Sequence, residues 1–515
     1  MRFPEDRKVM NKEMWKKTKN NAGVLSVYLA LMIAVMIPII LTMIEGARIS
    51  AMRTKIGCAT DLAMDSALAE YNRELLDQYD LLFIDTAYDT GMGSIDNTRD
   101  HMLDYLSYNI DPGKDNFLMG GSDFLRLECD GLEFTNVSRA TDDDGAVFRY
   151  MALSYMLEKY GLAYAEDVKD MAEKSESSGL YEGDIENEES DAQQELDDYE
   201  FEAPQVDDGN GGKMDDPDWS EPEKADPAEQ VNNLRGGGIL SLVCGQEIST
   251  EAVNTEIYAS HRDLVAGDGM YEEWDAREGI MYEMLFNEYI MEKAGNYLNE
   301  KDGSRLKYEV EYIYAGKDSD DANLGTVVNR ILLIRGAVNT IYFFEDAELQ
   351  AESNELAAAL AAASMSPELE PVYLALIDAA WIYAESVSDI RILMTGGKLP
   401  IIMSPGDWRL SLEGALNATE DMVEASVDDG SGKDMPDDPA NMEVGYEGYL
   451  RLLLYTVSRE KRVGRMMDIV EMDVRMVPGY EDFRLDDCIA AATVQFTFKS
   501  GYGYEFFVER NMRFM

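Results

Sequence analysis

The longest uninterrupted apolar stretch in the chain covers residues 24–44, and basic residues crowd its N-terminal side. At about 1.5 Å per residue, roughly 21 helical residues reach about 31 Å, enough for a bilayer core of about 30 Å. The pattern therefore predicts one transmembrane helix, kinked at Pro38, which a spanning helix tolerates when neighbours satisfy the freed carbonyl. Arg2, Arg7, Lys8, Lys12, Lys16, Lys17 and Lys19 precede the span, against Arg48, Arg53 and Lys55 after it. The positive-inside rule then puts residues 1–23 in the cytoplasm and everything after the span outside the cell membrane. A cleaved secretory signal fits less well. It calls for an apolar core of about 7–15 residues and a small-x-small site, where this chain has Thr42-Met43-Ile44-Glu45-Gly46-Ala47-Arg48.

Past the span, Ile49, Met52, Ile56, Ala59, Ala63, Ser66 and Ala67 recur at spacings of three and four. This predicts an extracellular continuation of the same helix over 45–80, projecting roughly 50 Å with a stripe of small residues. Close packing of that stripe on a sheet or another helix is expected. Residues 81–175 read as the first part of an extracellular domain: a short strand at 81–84, one or two strands within 125–137, and a helix over 146–174. Residues 176–235 are dominated by Asp, Glu, Gly and Pro, and read as a disordered acidic insertion. The second part, 236–515, offers helices at 275–300, 323–349, 355–363, 372–393 and 448–459, with the middle three expected as an antiparallel layer. It also offers strands at 306–315, 469–477 and 490–508, and a second acidic loop at 428–441. Helices and antiparallel strands alternate without βαβ spacing, so the expected fold class is α+β.

Composition narrows the function. With 515 residues, 46% of them hydrophobic, the chain has ample material for a packed core. Its 101 acidic against 45 basic residues give a net charge of −56, which repels phosphates and argues against a nucleic-acid partner. Divalent cations are attracted only unspecifically, and solubility explains such a surface more simply. Cys58, Cys129, Cys244 and Cys488 form no CxxC pair, so no zinc knuckle is indicated, and one long-range disulfide stays open.

Candidate chemistry is sparse. His101 falls in a polar helical stretch where a surface role is expected. His261 lies in Tyr258-Ala259-Ser260-His261-Arg262-Asp263, but triad members converge in space rather than adjoin in sequence. Acidic runs at 142–144, 318–321 and 428–429 lack the closing glutamate of a calcium loop and read as solvated turns. The Gly236-Gly237-Gly238 run has no following Lys-Ser/Thr, and Trp381 and Trp408 read as core. No catalytic, cofactor-binding or metal residue is assigned. Glu45 and Arg48 at the membrane boundary, with Ala59 and Ala63 on the stripe, are the helix-association candidates.

The run Ala22-Gly23-Val24-Leu25-Ser26-Val27-Tyr28-Leu29-Ala30-Leu31, the segment Ile44-Glu45-Gly46-Ala47-Arg48, and Asp61-Leu62-Ala63-Met64-Asp65-Ser66-Ala67-Leu68-Ala69-Glu70-Tyr71 resemble the N-terminal helices of the TadE/TadG group of pilin-like proteins. That group belongs to tight-adherence machinery, a branch of type IV pilus systems. The likeness implies leader cleavage between Gly23 and Val24, although Tyr28 stands where many pilins carry an assembly glutamate. Glu311-Tyr312-Ile313-Tyr314-Ala315-Gly316-Lys317, Ala380-Trp381-Ile382-Tyr383-Ala384-Glu385-Ser386, Tyr449-Leu450-Arg451-Leu452-Leu453-Leu454 and Arg465-Met466-Met467-Asp468 resemble an uncharacterised family of large single-pass Gram-positive membrane proteins. Together these imply a noncatalytic envelope protein in contact with the lipid bilayer and with protein partners of a pilus or secretion assembly. The competing expectations are an anchored enzyme acting on wall polymer and an acidic cation-binding adhesin.

Overall fold

The computed structural model describes residues 6–88, 90–110, 125–176, 205–207, 213–215, 238–269, 277–404, 406–416 and 443–514. The acidic loop expected at 428–441 lies outside the described residues, as does the insertion at 176–235 apart from Glu176 and two short strands.

Helix α1 (Asp6–Leu68) runs unbroken through Pro38. Between Val24 and Ile44 its large apolar side chains stay 48–69% exposed, the value of a helix with nothing packed on it. Further along, Met52, Ile56, Ala59, Ala63 and Ala67 are buried. One continuous helix is thus bare in its first apolar half and core-forming in its second. It ends at Leu68, short of the expected limit near Tyr79. Asn72 caps a separate helix, α2 (Arg73–Tyr79), by accepting from the Leu75 N–H, while its own backbone N–H donates to the Phe83 carbonyl. The break diverts Leu75 and Tyr79 into a different core from Ala63 and Ala67.

The chain continues through β1 (Ile84–Asp85), α3 (Ile95–Ile110), β2 (Leu127–Arg139) and α4 (Asp142–Glu176), then the paired β3 (Gln205–Asp207) and β4 (Lys213–Asp215). Next come α5 (Ile239–Val243), α6 (Ile280–Lys293), α7 (Glu309–Ala315), α8 (Asp320–Glu345), α9 (Ala347–Ala363) and α10 (Glu370–Met394). The last elements are β5 (Lys398–Pro400), α11 (Leu412–Leu416), β6 (Glu443–Gly445), α12 (Tyr446–Thr456), α13 (Arg459–Val474), β7 (Cys488–Ser500) and β8 (Glu505–Arg513). Helices and antiparallel strands are segregated, which makes the fold α+β.

Strand β7 is the centre of the main sheet, antiparallel to β2, to β8 and, at its first two residues, to β1. Its Ala492, Val494, Phe496 and Phe498 share one core with Met52, Ile56, Ala59 and Ala63 of α1 and with Met102 and Leu106 of α3. Period-two strand faces thus meet a period-3.6 helix stripe. The strands expected within 125–137 and at 490–508 are present, the second turning back after Ser500, and they pair with each other in one sheet.

Two expected strands are helices instead. Residues 306–315 alternate Tyr308, Val310, Tyr312 and Tyr314 with charged positions, yet 309–315 form α7, closed by Gly316 at φ 65. Residues 469–477, rich in β-branched and apolar side chains, fall largely within α13. The reason is common to both. Glu309, Glu311, Asp468, Glu471 and Asp473 are buried beside the apolar residues, so the acids do not mark a solvent face. A substituent at Gly316 would also stand 2.4 Å from Arg465 Nη2, so glycine serves both the left-handed cap and the close approach of α13.

The expected helical layer is present as α8, α9 and α10. Pairings of Arg335 with Asp389, Asn339 with Ser386 and Phe343 with Trp381 set α8 antiparallel to the second half of α10. Helix α9 restarts at Asp346, whose side chain accepts from the N–H groups of Glu348 and Leu349, and packs along the first half of α10 through Ala357 and Ala361.

Candidate functional site

The bare half of α1 meets the folded body at Glu45 and Arg48. Arg48 Nη1 donates to Glu45 Oε2 at 2.7 Å, and the Tyr504 hydroxyl donates to Glu45 Oε1 at 2.7 Å. The Arg48 guanidinium lies 4.1 Å from the Tyr502 ring centroid. Tyr502 and Tyr504 belong to the turn joining β7 to β8, so the tip of the last hairpin is clamped to the helix directly after its apolar run. Arg510 of β8 adds an ion pair to Asp61 at 2.9 Å. The bond to Glu45 pushes the Tyr504 hydroxyl pKa upward. Rim pairs of this kind contribute about 0–1 kcal/mol each, so the clamp sets register more than stability.

The other sequence candidates separate from this junction. Ala59 and Ala63 are 2% and 0% exposed, filled in by the chain's own sheet and α3. Gly23 and Val24 lie inside the unbroken helix. The tyrosines that join Glu45 and Arg48 to the body come 459 and 454 residues later in the chain (504 − 45 and 502 − 48), which no local pattern could announce.

A second feature escaped the sequence altogether: buried carboxylates that accept from backbone N–H groups of long coil segments. Glu309 takes the Gly295 N–H at 2.6 Å, and Glu311 takes that of Tyr297 at 2.9 Å. Asp473 takes the Arg305 N–H at 3.0 Å and Asp468 the Ser260 N–H at 2.8 Å. Glu471 takes the Leu485 N–H at 2.8 Å, and Glu385 those of Arg409 and Leu410 at 3.1 and 2.9 Å. Coil running through an interior has backbone donors that need acceptors, and a carboxylate on a rigid helix supplies them. Glu309 also faces Asp473 in a cluster with Lys301 and the Tyr79 hydroxyl; burial and Asp473 together push its pKa well upward. At 0% and 2% exposure, this acid pair is closed to solvent by the coil it holds. The layer holds Arg335 Nε at 2.9 Å from Asp389 Oδ2, with Asn339 and Arg409 completing the aspartate's partners.

The remaining candidates resolve as structure. Ser260 donates to Asp468, and Arg262 pairs with Glu471 and Asp486, while His261 stays exposed, so Ser260-His261-Arg262-Asp263 is no triad. His101 is half-buried, 3.1 Å from Glu70, with its ring tilted at 35° against Tyr88. The turn reading fails at Asp320, which is buried and accepts from Lys307, Tyr308 and Ser249. Asp142 begins α4 and accepts from Arg139 and Gly267; Asp428 and Asp429 lie outside the described residues. All four cysteines are free thiols. Trp381 and Trp408 are packed at 5.7 Å, both donating to the Leu410 carbonyl. Among the described residues no group of three or more His, Cys, Asp or Glu is placed to hold a metal.

Fold and junction together define a class: an α+β protein whose N-terminal helix is long and apolar enough to cross a membrane and is built into the body at its far end. Residues 217–500 match a family of unknown function, DUF5702, and the chain belongs to that family. No curated protein and no solved structure matches it.

Proposed function

We propose that this chain is a noncatalytic single-pass protein of the cell envelope. Residues 24–44 hold it in the cell membrane with the N-terminus cytoplasmic, and the α+β body stands outside. Its role is assembly or anchoring within a tight-adherence, type IV pilus-related or secretion apparatus. The observation that carries this reading is the divided use of α1, bare and apolar over 24–44 and the spine of a sheet from Met52 onward. Burying so many exposed apolar side chains in lipid is worth about 1.5–3 kcal/mol each, far above what any rim contact offers. A helix that enters the body as a rigid rod also transmits force from membrane to domain without a linker. The TadE/TadG-like wording of the first 70 or so residues supports the choice of apparatus.

The test is mass spectrometry of the chain recovered from carbonate-washed native membranes, with chemical cross-linking to neighbours before lysis. A mature start at Val24 means prepilin-type processing and filament membership; a start near Met1 means a permanent anchor. Release of the chain into the carbonate wash overturns the proposal.

A further inference from the structure

Helix α8 buries one face on α10 and leaves the opposite one bare. Leu333, Ile341 and Phe344 are 46%, 60% and 54% exposed there, with Ala337 between them. At about 100° per residue these four fall on one line, turned away from Arg335, Asn339 and Phe343, which face α10. Charge borders the line on one flank only. Arg330 stands at its N-terminal end and Glu345 at its C-terminal end, and neither forms an ion pair within the described chain.

We propose that this face of α8 docks against the same face of a second copy of this chain, the two helices antiparallel about a two-fold axis at Ala337. The register follows from the residues. With Ala337 on the axis, Leu333 meets Ile341 of the second copy, and Arg330 comes level with its Phe344 and next to its Glu345. A two-fold perpendicular to both helices keeps flank against flank, so each Arg330 meets a Glu345, twice over. A parallel two-fold would carry each flank to the opposite side, so neither Arg330 nor Glu345 would meet its opposite charge. Small Ala337 at the centre lets the helices approach closely, and the larger residues interlock on either side.

The apolar line is four side chains on one helix, whereas a stable soluble dimer buries about 800 Å² and about 20–30 residues per partner. Two copies anchored in one membrane share a two-fold along its normal, so the contact further requires α8 to lie parallel to the membrane plane, where tethering raises effective concentration. This last step rests on the anchor reading above. The charge pattern does not.

The experiment uses the full chain in its native membranes, with Ala337→Cys introduced and the exposed Cys58 replaced by serine. Identical residues on a two-fold axis cross-link to themselves, so oxidation should give a disulfide dimer. Asn329→Cys, on α8 but off the axis, should give at least about tenfold less. Arg330→Glu should cut the Ala337→Cys dimer by roughly tenfold, and adding Glu345→Arg should restore it, because the swap recreates both pairs. Membrane retention is read in the same preparations, so a failure of pairing with the chain still in the membrane overturns the docking alone. Equal cross-linking at positions 329 and 337, no rescue by the charge swap, or cross-linking only to a different protein would each overturn it.

Discussion

Glu311 makes the energetic logic of the buried acids measurable. It has no exposed surface; Oε1 accepts from the Tyr297 N–H at 2.9 Å and the Tyr446 hydroxyl at 2.7 Å, while Oε2 meets no donor. Burial pushes its carboxyl from 4.5 up to about 7. At about 1.4 kcal/mol per pH unit, that gap is worth about 3 kcal/mol. The folded state holds this proton more tightly than the unfolded state. Its contribution is therefore fully present below the unfolded value of 4.5 and lost as pH rises through about 7. Glu311→Gln keeps an acceptor in place and cannot ionise. The urea midpoint of wild type relative to Glu311→Gln should fall by the equivalent of about 3 kcal/mol between about pH 4 and about pH 8. Glu385, pushed up to about 7, and Asp378, pushed up to about 6, both by burial, act in the same direction. A wild-type-to-variant difference that does not move with pH would mean that burial does not raise the Glu311 carboxyl.

Other consequences follow from packing. Ala63→Leu forces three extra carbons between α1, α3 and β7 where no surface is exposed, and should cost about 1–3 kcal/mol, read as a lowered Tm of the body. Asp389→Ala strands the buried Arg335 guanidinium with the Pro400 carbonyl and weaker partners, and should cost about 3–5 kcal/mol by thermal denaturation. Tyr504→Phe removes the hydroxyl donated to Glu45 and should raise hydrogen exchange in the β7–β8 turn while leaving the Tm nearly unchanged.

What could be read along the chain was whatever rests on local periodicity. The bare apolar run at 24–44, the stripe from Met52 to Ala67, the β7–β8 hairpin and the three helices of the layer all follow patterns that a single window contains. The break at Asn72 was hidden because Leu75 and Tyr79 continue the apolar spacing, although into another core. Helices α7 and α13 read as strands because an acid is normally evidence of solvent, and here Glu309, Glu311 and Glu471 are interior acceptors for coil 14 residues before or after them, and Asp473 and Asp468 for coil 168 and 208 residues away. Glu45 and Arg48 stood out as polar residues at the end of an apolar run, yet their partners Tyr502 and Tyr504 come from the opposite end of the chain. Long-range partnership leaves no mark on a single sequence.

In the proposed topology α1 crosses the membrane with its first apolar half and forms the spine of the external body with its second. Proteolysis of intact cells, followed by mass spectrometry of the fragment left in the membrane, tests it most directly. A protected fragment that contains residues 24–44 and loses the body is the expected result. Digestion of that stretch along with the body, or protection of the body from protease outside the cell, would contradict it.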